Sequence, residues 1–137
     1  MERNILVVDD EPNIREMLKE ALELSGYRVF TVSTSDETFS ILKEKKIQVM
    51  FFDLNLGTKS TLNGMNLCRE IRKKYPVACI YAITGYVSTF SLAECREAGF
   101  DDYFTKPIDL ELLFRTAEES FEKLARWHTK KSDAKSI

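Results

Sequence analysis

Between Asn4 and Val8 the chain reads NILVV, a short run of β-branched and apolar residues that stops at Asp9-Asp10. From Pro12 the period changes, and Ile14, Met17, Leu18, Ala21, Leu22 and Leu24 fall at helical spacing until Ser25-Gly26 breaks the pattern. The same alternation continues. Tyr27 to Val32 predicts a second strand, and Thr34-Ser35-Asp36-Glu37 offers capping residues to a helix carrying Phe39, Ile41 and Leu42. Ile47 to Asn55, IQVMFFDLN, predicts a third strand, with a helix from Gly64 to Tyr75 carrying Met65, Leu67, Cys68 and Ile71 after a polar loop. Pro76 precedes a fourth strand, Val77 to Ile83, closed by Thr84-Gly85. A helix with Phe90, Leu92, Ala93, Cys95 and Ala98 then stops at Gly99. Asp102 to Thr105 predicts a short fifth strand. Lys106-Pro107 leads into a last helix holding Leu110, Leu112, Leu113, Phe114, Ala117, Phe121 and Leu124.

Strands alternating with helices, each strand too apolar to be solvated on either face, predict right-handed βαβ crossovers and an α/β, doubly wound, five-stranded parallel sheet. Chemistry in such sheets gathers at the carboxyl ends of the strands, where the strand order reverses. With the order 2-1-3-4-5, strands one and three are neighbours at that point.

The composition narrows the possibilities. A net charge of -2, with 31% charged and 44% hydrophobic residues, describes a globular domain and makes no case for nucleic-acid or lipid binding. No apolar stretch reaches the roughly 20 residues of a membrane span, and Met1-Glu2-Arg3-Asn4 runs directly into a strand instead of a signal peptide's apolar region. A cytoplasmic protein is expected. Cys68, Cys79 and Cys95 lie inside apolar patterns without C-x-x-C spacing and read as reduced, buried small hydrophobes. His128, the sole histidine, reads as a solvated surface residue, and Trp127 as packing at a helix end. One domain is expected over 1–125, with 126–137 a disordered polar tail too short for an output module.

The residues that close the strands carry the chemistry. Asp9 and Asp10 follow strand one, Asp53 strand three, Thr84 strand four and Lys106 strand five. Three converging carboxylates must share protons, pair with Lys106 or bind a cation. Hard oxygen ligands suit Mg2+, which keeps several waters and bridges to phosphoryl groups. Asp53 is then a candidate nucleophile toward phosphorus, forming an acyl phosphate, with Lys106 and Thr84 holding the remaining oxygens.

In these blocks, ILVVDDE, VMFFDLN, IYAITG and AGFDDYFTKP, the chain resembles the receiver domain of two-component response regulators, from about Asn4 to Leu124. The resemblance implies a flavodoxin-like fold in which Asp53 is the phosphoacceptor. Asp10 and the main-chain carbonyl of Asn55 would bind Mg2+ directly, with Asp9 assisting. It further implies that Lys106 contacts the phosphoryl group, that Thr84 and Tyr103 form the switch, and that Lys106-Pro107 is a cis bond. Its implied donor is a histidine kinase or phosphotransfer protein. Its implied output is a changed face of helix four, strand five and helix five, offered to a protein partner or a second copy, so the chain would be a signalling switch that catalyses only its own phosphorylation and dephosphorylation.

The chain departs from the family pattern in two places. After Asp53 the loop LNLGTKSTLNG carries Gly57 where the family has proline and about three additional residues before Gly64, which would either alter access to the site or serve as tolerated surface. Tyr86 is large enough to shield an acyl phosphate and slow its hydrolysis. Two alternatives remain: a receiver cut from a longer regulator, and a haloacid-dehalogenase-type phosphatase. Against the latter, Asp53-Leu54-Asn55-Leu56-Gly57 lacks the D-x-D-x-T arrangement.

Overall fold

The computed structural model describes residues 2–85 and 92–136, with 129–136 described by backbone alone. Tyr86, and with it the expected shielding role, lies outside the described residues, as does Phe90. The elements in chain order are β1 (Asn4–Val8), α1 (Pro12–Leu24), β2 (Arg28–Val32), α2 (Ser35–Glu44), β3 (Val49–Asp53), α3 (Gly64–Lys74), β4 (Cys79–Thr84), α4 (Leu92–Ala98), β5 (Asp102–Thr105) and α5 (Leu110–Ser136). The strands form one parallel sheet in the order β2-β1-β3-β4-β5. This is the doubly wound architecture that the alternation of periods predicts.

Because successive strand residues face opposite sides, one apolar run feeds two cores. Ile5, Val7, Val49, Phe51, Cys79, Tyr81 and Ile83 pack toward Leu18 and Leu22 of α1 and Leu113, Ala117 and Phe121 of α5. Leu6, Val8, Met50, Phe52, Ile80 and Ala82 pack on the other side toward Leu42 of α2, Leu67, Cys68 and Ile71 of α3, and Cys95 and Ala98 of α4. All three cysteines are buried thiols, as their apolar surroundings imply. Burial pushes the Cys68 thiol up to about 12, so it remains protonated.

The helix ends follow local chemistry. Pro12 opens α1, where its missing N–H is one of the unpaired donors in any case. Thr34 caps α2 by accepting from the Glu37 N–H at 3.2 Å, and Asn63 caps α3 by accepting from the Asn66 N–H at 2.8 Å. Gly99, at φ +108, follows the end of α4 in a conformation that a side chain would resist. Arg72 of α3 locks this end of the fold: its Nε donates to the Gly99 carbonyl at 3.0 Å, and its Nη atoms donate to the carbonyls of Pro76, Ala78 and Gly99 and to the Asp101 carboxylate.

Two expectations need correction. Residues 126–137, expected to form a disordered tail, continue α5 as helix through Ser136. No glycine or proline follows Pro107, so nothing in the sequence interrupts the helical hydrogen bonds. Trp127, expected as helix-end packing, lies within α5 and is 61% exposed.

Candidate functional site

The register sets up the site. Val8 of β1 pairs with Phe52 of β3, so Asp9 and Asp53, each one residue further on, emerge side by side at the carboxyl edge. Asp53 in turn pairs with Ile83 of β4, with Thr84 following. Thr84 pairs with Thr105 of β5, and its carbonyl accepts from the Lys106 N–H at 2.9 Å. Lys106-Pro107 is a cis bond, as expected from the resemblance.

The Lys106 side chain reaches back along this edge. Its Nζ donates to Asp53 Oδ2 at 3.1 Å and lies 3.4 Å from Asp9 Oδ2 and 3.8 Å from Glu11 Oε1. Asp53 is buried, and its Oδ1 accepts from the Asn55 N–H at 3.0 Å. Asp9 is fully buried, and its Oδ1 accepts from the Glu11 N–H at 2.9 Å. Its Oδ2 has no hydrogen bond: the ammonium is near enough to attract it but off the direction a bond requires. Asp10 is exposed, and oxygens of Asp9, Asp10 and Asp53 lie within 4.8 Å of one another.

One cation among several carboxylates leaves excess negative charge. Burial raises the Asp9 carboxyl to about 6, and repulsion from Asp53 adds to the rise against the opposing Glu11 N–H and Lys106. The Asp53 carboxyl is also raised, first by burial, although the Asn55 N–H and Lys106 oppose the shift. For Lys106, burial favours the neutral amine, but attraction from Asp53, Asp9 and Glu11 prevails and the net shift is upward. The lysine is thus held charged without satisfying its partners. A cation bound by oxygens fits this deficit, and the orphaned Asp9 Oδ2 supplies one unused ligand atom.

The signs lead to a test. A carboxyl whose folded-state pKa is raised stabilises the fold fully below its unfolded value, about 3.9, and that contribution is lost as pH rises through about 6. Asp9→Asn is therefore expected to stabilise the metal-free protein at pH 7 by on the order of 2 kcal/mol. The gain should shrink as pH falls toward 4. Melting curves in chelator across this range decide it, and a gain independent of pH would refute the assignment.

The sequence-predicted residues are not all alike in position. Asp9, Asp10, Asp53 and Lys106 come together directly. Thr84 is buried at the end of the adjoining strand. Tyr103 is half-buried on β5 and packs against the core on the α3 and α4 side. Asn55 lies beside the cluster through its N–H bond to Asp53, and its side-chain oxygen accepts from the Gly57 N–H at 3.2 Å. Sequence reasoning missed Glu11 and Arg15: the first faces Lys106, and the second donates from Nη1 to the Asp9 carbonyl at 2.7 Å. Their position in the first turn after the two aspartates was the available signal.

Comparison with known proteins now bears on this arrangement. The family model described as "Response regulator receiver domain" matches residues 5–118. The chain belongs to the response regulator receiver domain family. This receiver domain is 38% identical over 106 residues to the aerobic respiration control protein ArcA of Escherichia coli K12, an alignment covering 77% of this chain and 43% of that protein. The chain thus spans less than half the length of that curated relative. Among solved structures, a BeF3-activated DrrB receiver domain superposes with a TM-score of 0.79 at 30% identity, covering 89% of this chain and 99% of the other. The receiver domain of NtrX from Brucella abortus gives a TM-score of 0.80 at 29% identity, covering 86% and 98% respectively. A flavodoxin-like receiver of a two-component system is therefore the fold and the class, and the haloacid-dehalogenase alternative is not favoured. Among the described residues no helix is long and apolar enough to cross a membrane.

Proposed function

We propose that this receiver domain accepts a phosphoryl group on Asp53 from a histidine kinase or histidine phosphotransfer protein, with Mg2+ held by Asp9, Asp10, Asp53 and the main-chain carbonyl of Asn55. The observation that carries this reading is the position of Asp53: a buried strand-end carboxylate 3.1 Å from Lys106, with Asp9 and Asp10 oxygens within 4.8 Å. When bound, the cation offsets the charge of the carboxylates and of the incoming phosphoryl oxygens.

The chain's own residues do the rest. A lone pair on an Asp53 carboxylate oxygen forms the O–P bond while the P–N bond to the donor imidazole breaks, and the bonding electrons leave with that nitrogen. Lys106, already paired with Asp53 Oδ2, transfers its attraction to a phosphoryl oxygen, as electrostatic stabilisation of developing charge requires. Thr84 offers a hydroxyl one residue beyond the strand partner of Asp53. Tyr103, packed between this edge and the α4 side of the core, is the element whose repacking would carry the signal to the face of α4, β5 and α5. That face would contact a downstream protein or a second copy of the chain in the cytoplasm, and the chain would catalyse only its own phosphorylation and dephosphorylation.

Incubation with acetyl phosphate and Mg2+ followed by intact-mass measurement tests the proposal. One hydroxylamine-labile phosphoryl group, lost when chelator is present, is expected; a Mg2+-independent adduct, or none even with beryllofluoride as the probe, would refute it.

A further inference from the structure

The long loop after β3 does not hang free. Its base is closed where the Gly64 N–H donates to the Leu54 carbonyl at 3.1 Å, and Leu56, only 2% exposed, is buried in the core. Leu62 packs against the same core from the other arm. Between these apolar anchors the loop crosses to the start of α2. Ser60 Oγ accepts from the Ser35 N–H at 2.8 Å and donates to the Leu62 carbonyl at 2.7 Å, while the Leu62 N–H donates to Ser35 Oγ at 3.0 Å. The two serine hydroxyls are also 3.0 Å apart. The Leu62 carbonyl and Ser35 Oγ are thus both within reach as acceptors of the single Ser60 hydroxyl proton. Thr61 adds a bond from its hydroxyl to Asp36 Oδ2 at 3.0 Å.

This closed network satisfies Ser35, which is fully buried at the first turn of α2. It also fixes the loop in its middle. Three residues earlier, Gly57 sits at φ +75 so close to the acidic cluster that a Cβ there would lie 3.2 Å from Asp10 Oδ2. One side of the loop therefore touches the cluster and the other is fastened to a helix. Leu56 fixes the chain on one side of Gly57, and anchoring Ser60 supplies the fixed point on the other side, which reduces the conformational freedom of the backbone beside Asp10.

We propose that Ser60 is a positioning residue: by latching the loop to Ser35 of α2 it holds the Asn55–Gly57 backbone against Asp10 and so sets the affinity of the cation site. The inference rests on the reading of Asp9, Asp10 and Asp53 as a Mg2+ site. Breaking the latch leaves the three carboxylates in place and loosens only the backbone beside them.

Two measurements on the full chain test it. Calorimetric titration with Mg2+ is expected to show binding about fivefold weaker in Ser60→Ala than in the wild type, the effect of losing one hydrogen-bonded anchor. Hydrogen exchange in chelator is expected to show faster exchange of the Asn55 and Gly57 amides in the same variant. Ser60→Thr, which keeps the hydroxyl, should restore both. A Ser60→Ala protein that melts at lower temperature yet keeps its Mg2+ affinity and both exchange rates would overturn the proposal, because the latch would then serve the fold alone. Wild-type protein that binds no Mg2+, or Asp10→Asn protein that binds it equally well, would overturn the cation reading itself. The metal-free exchange rates would still show whether Ser60 restrains the loop.

Discussion

Asp53→Asn is expected to abolish the phosphoryl adduct completely while leaving the fold intact or more stable. The amide oxygen can still accept from the Asn55 N–H, the bond that now holds Asp53 Oδ1 at 3.0 Å. The amide nitrogen replaces Oδ2, so the attraction to Lys106 at 3.1 Å is lost. That loss is offset because the Asp53 carboxyl is raised first by burial and a neutral side chain escapes that penalty. Chemistry and stability should thus move apart: no gain of mass with acetyl phosphate and Mg2+, and a metal-free melting temperature at neutral pH no lower than that of the wild type. Phosphoryl uptake at another residue in Asp53→Asn would remove Asp53 from its assigned role, and a large fall in melting temperature would show that the Lys106 pair outweighs burial.

Gly64→Ala should have the largest effect on stability of any single methyl added to this chain near the site. A Cβ at this position would lie 2.2 Å from the Asp53 carbonyl oxygen, 2.8 Å from Leu54 Cα and 2.9 Å from the Asp53 carbonyl carbon. All three atoms are backbone, so no side chain can swing aside. Either α3 backs away from the sheet or the end of β3 shifts, and β3 is held on both sides by β1 and β4. Overpacking of this kind costs about 3 kcal/mol or more. For a chain of this length the melting temperature should fall by roughly 10 °C. Because two of the three atoms belong to Asp53 itself, phosphoryl uptake should slow as well. Calorimetric melting and time-resolved mass measurement together check this, and an unperturbed melting temperature would mean that α3 does not approach β3 as described.

The contrast between these sites shows what a sequence discloses. β1 spans the residues that its NILVV run marks, because a parallel strand buried on both faces is near-continuously apolar and ends where polarity returns. Asp9, Asp53 and Thr84 were legible for the same reason, each being the first polar residue after such a run, whereas Lys106 was marked by its place between the fifth strand and Pro107. The fastening of the 55–63 loop was not legible. It depends on Ser35 meeting Ser60, 25 positions away, and serines in a polar stretch look the same whether solvated or locked in a network. The extent of α5 was misjudged through equating polarity with disorder, although helix continuation depends on the absence of breakers. Glu11 escaped notice because one more acidic residue after two aspartates adds little to a linear pattern, and only the fold brings it opposite Lys106.

The guanidinium of Arg72 has a mechanical consequence. It grips the carbonyl of Gly99 from two nitrogens, and so ties the residue just past α4 to α3 and to Ala78, the residue before β4. A helix fastened at one end cannot slide along the sheet as a rigid block. Any rearrangement of α4 must swing about Gly99 like a door on its hinge post, with Leu92 sweeping the widest arc and Ala98 hardly moving.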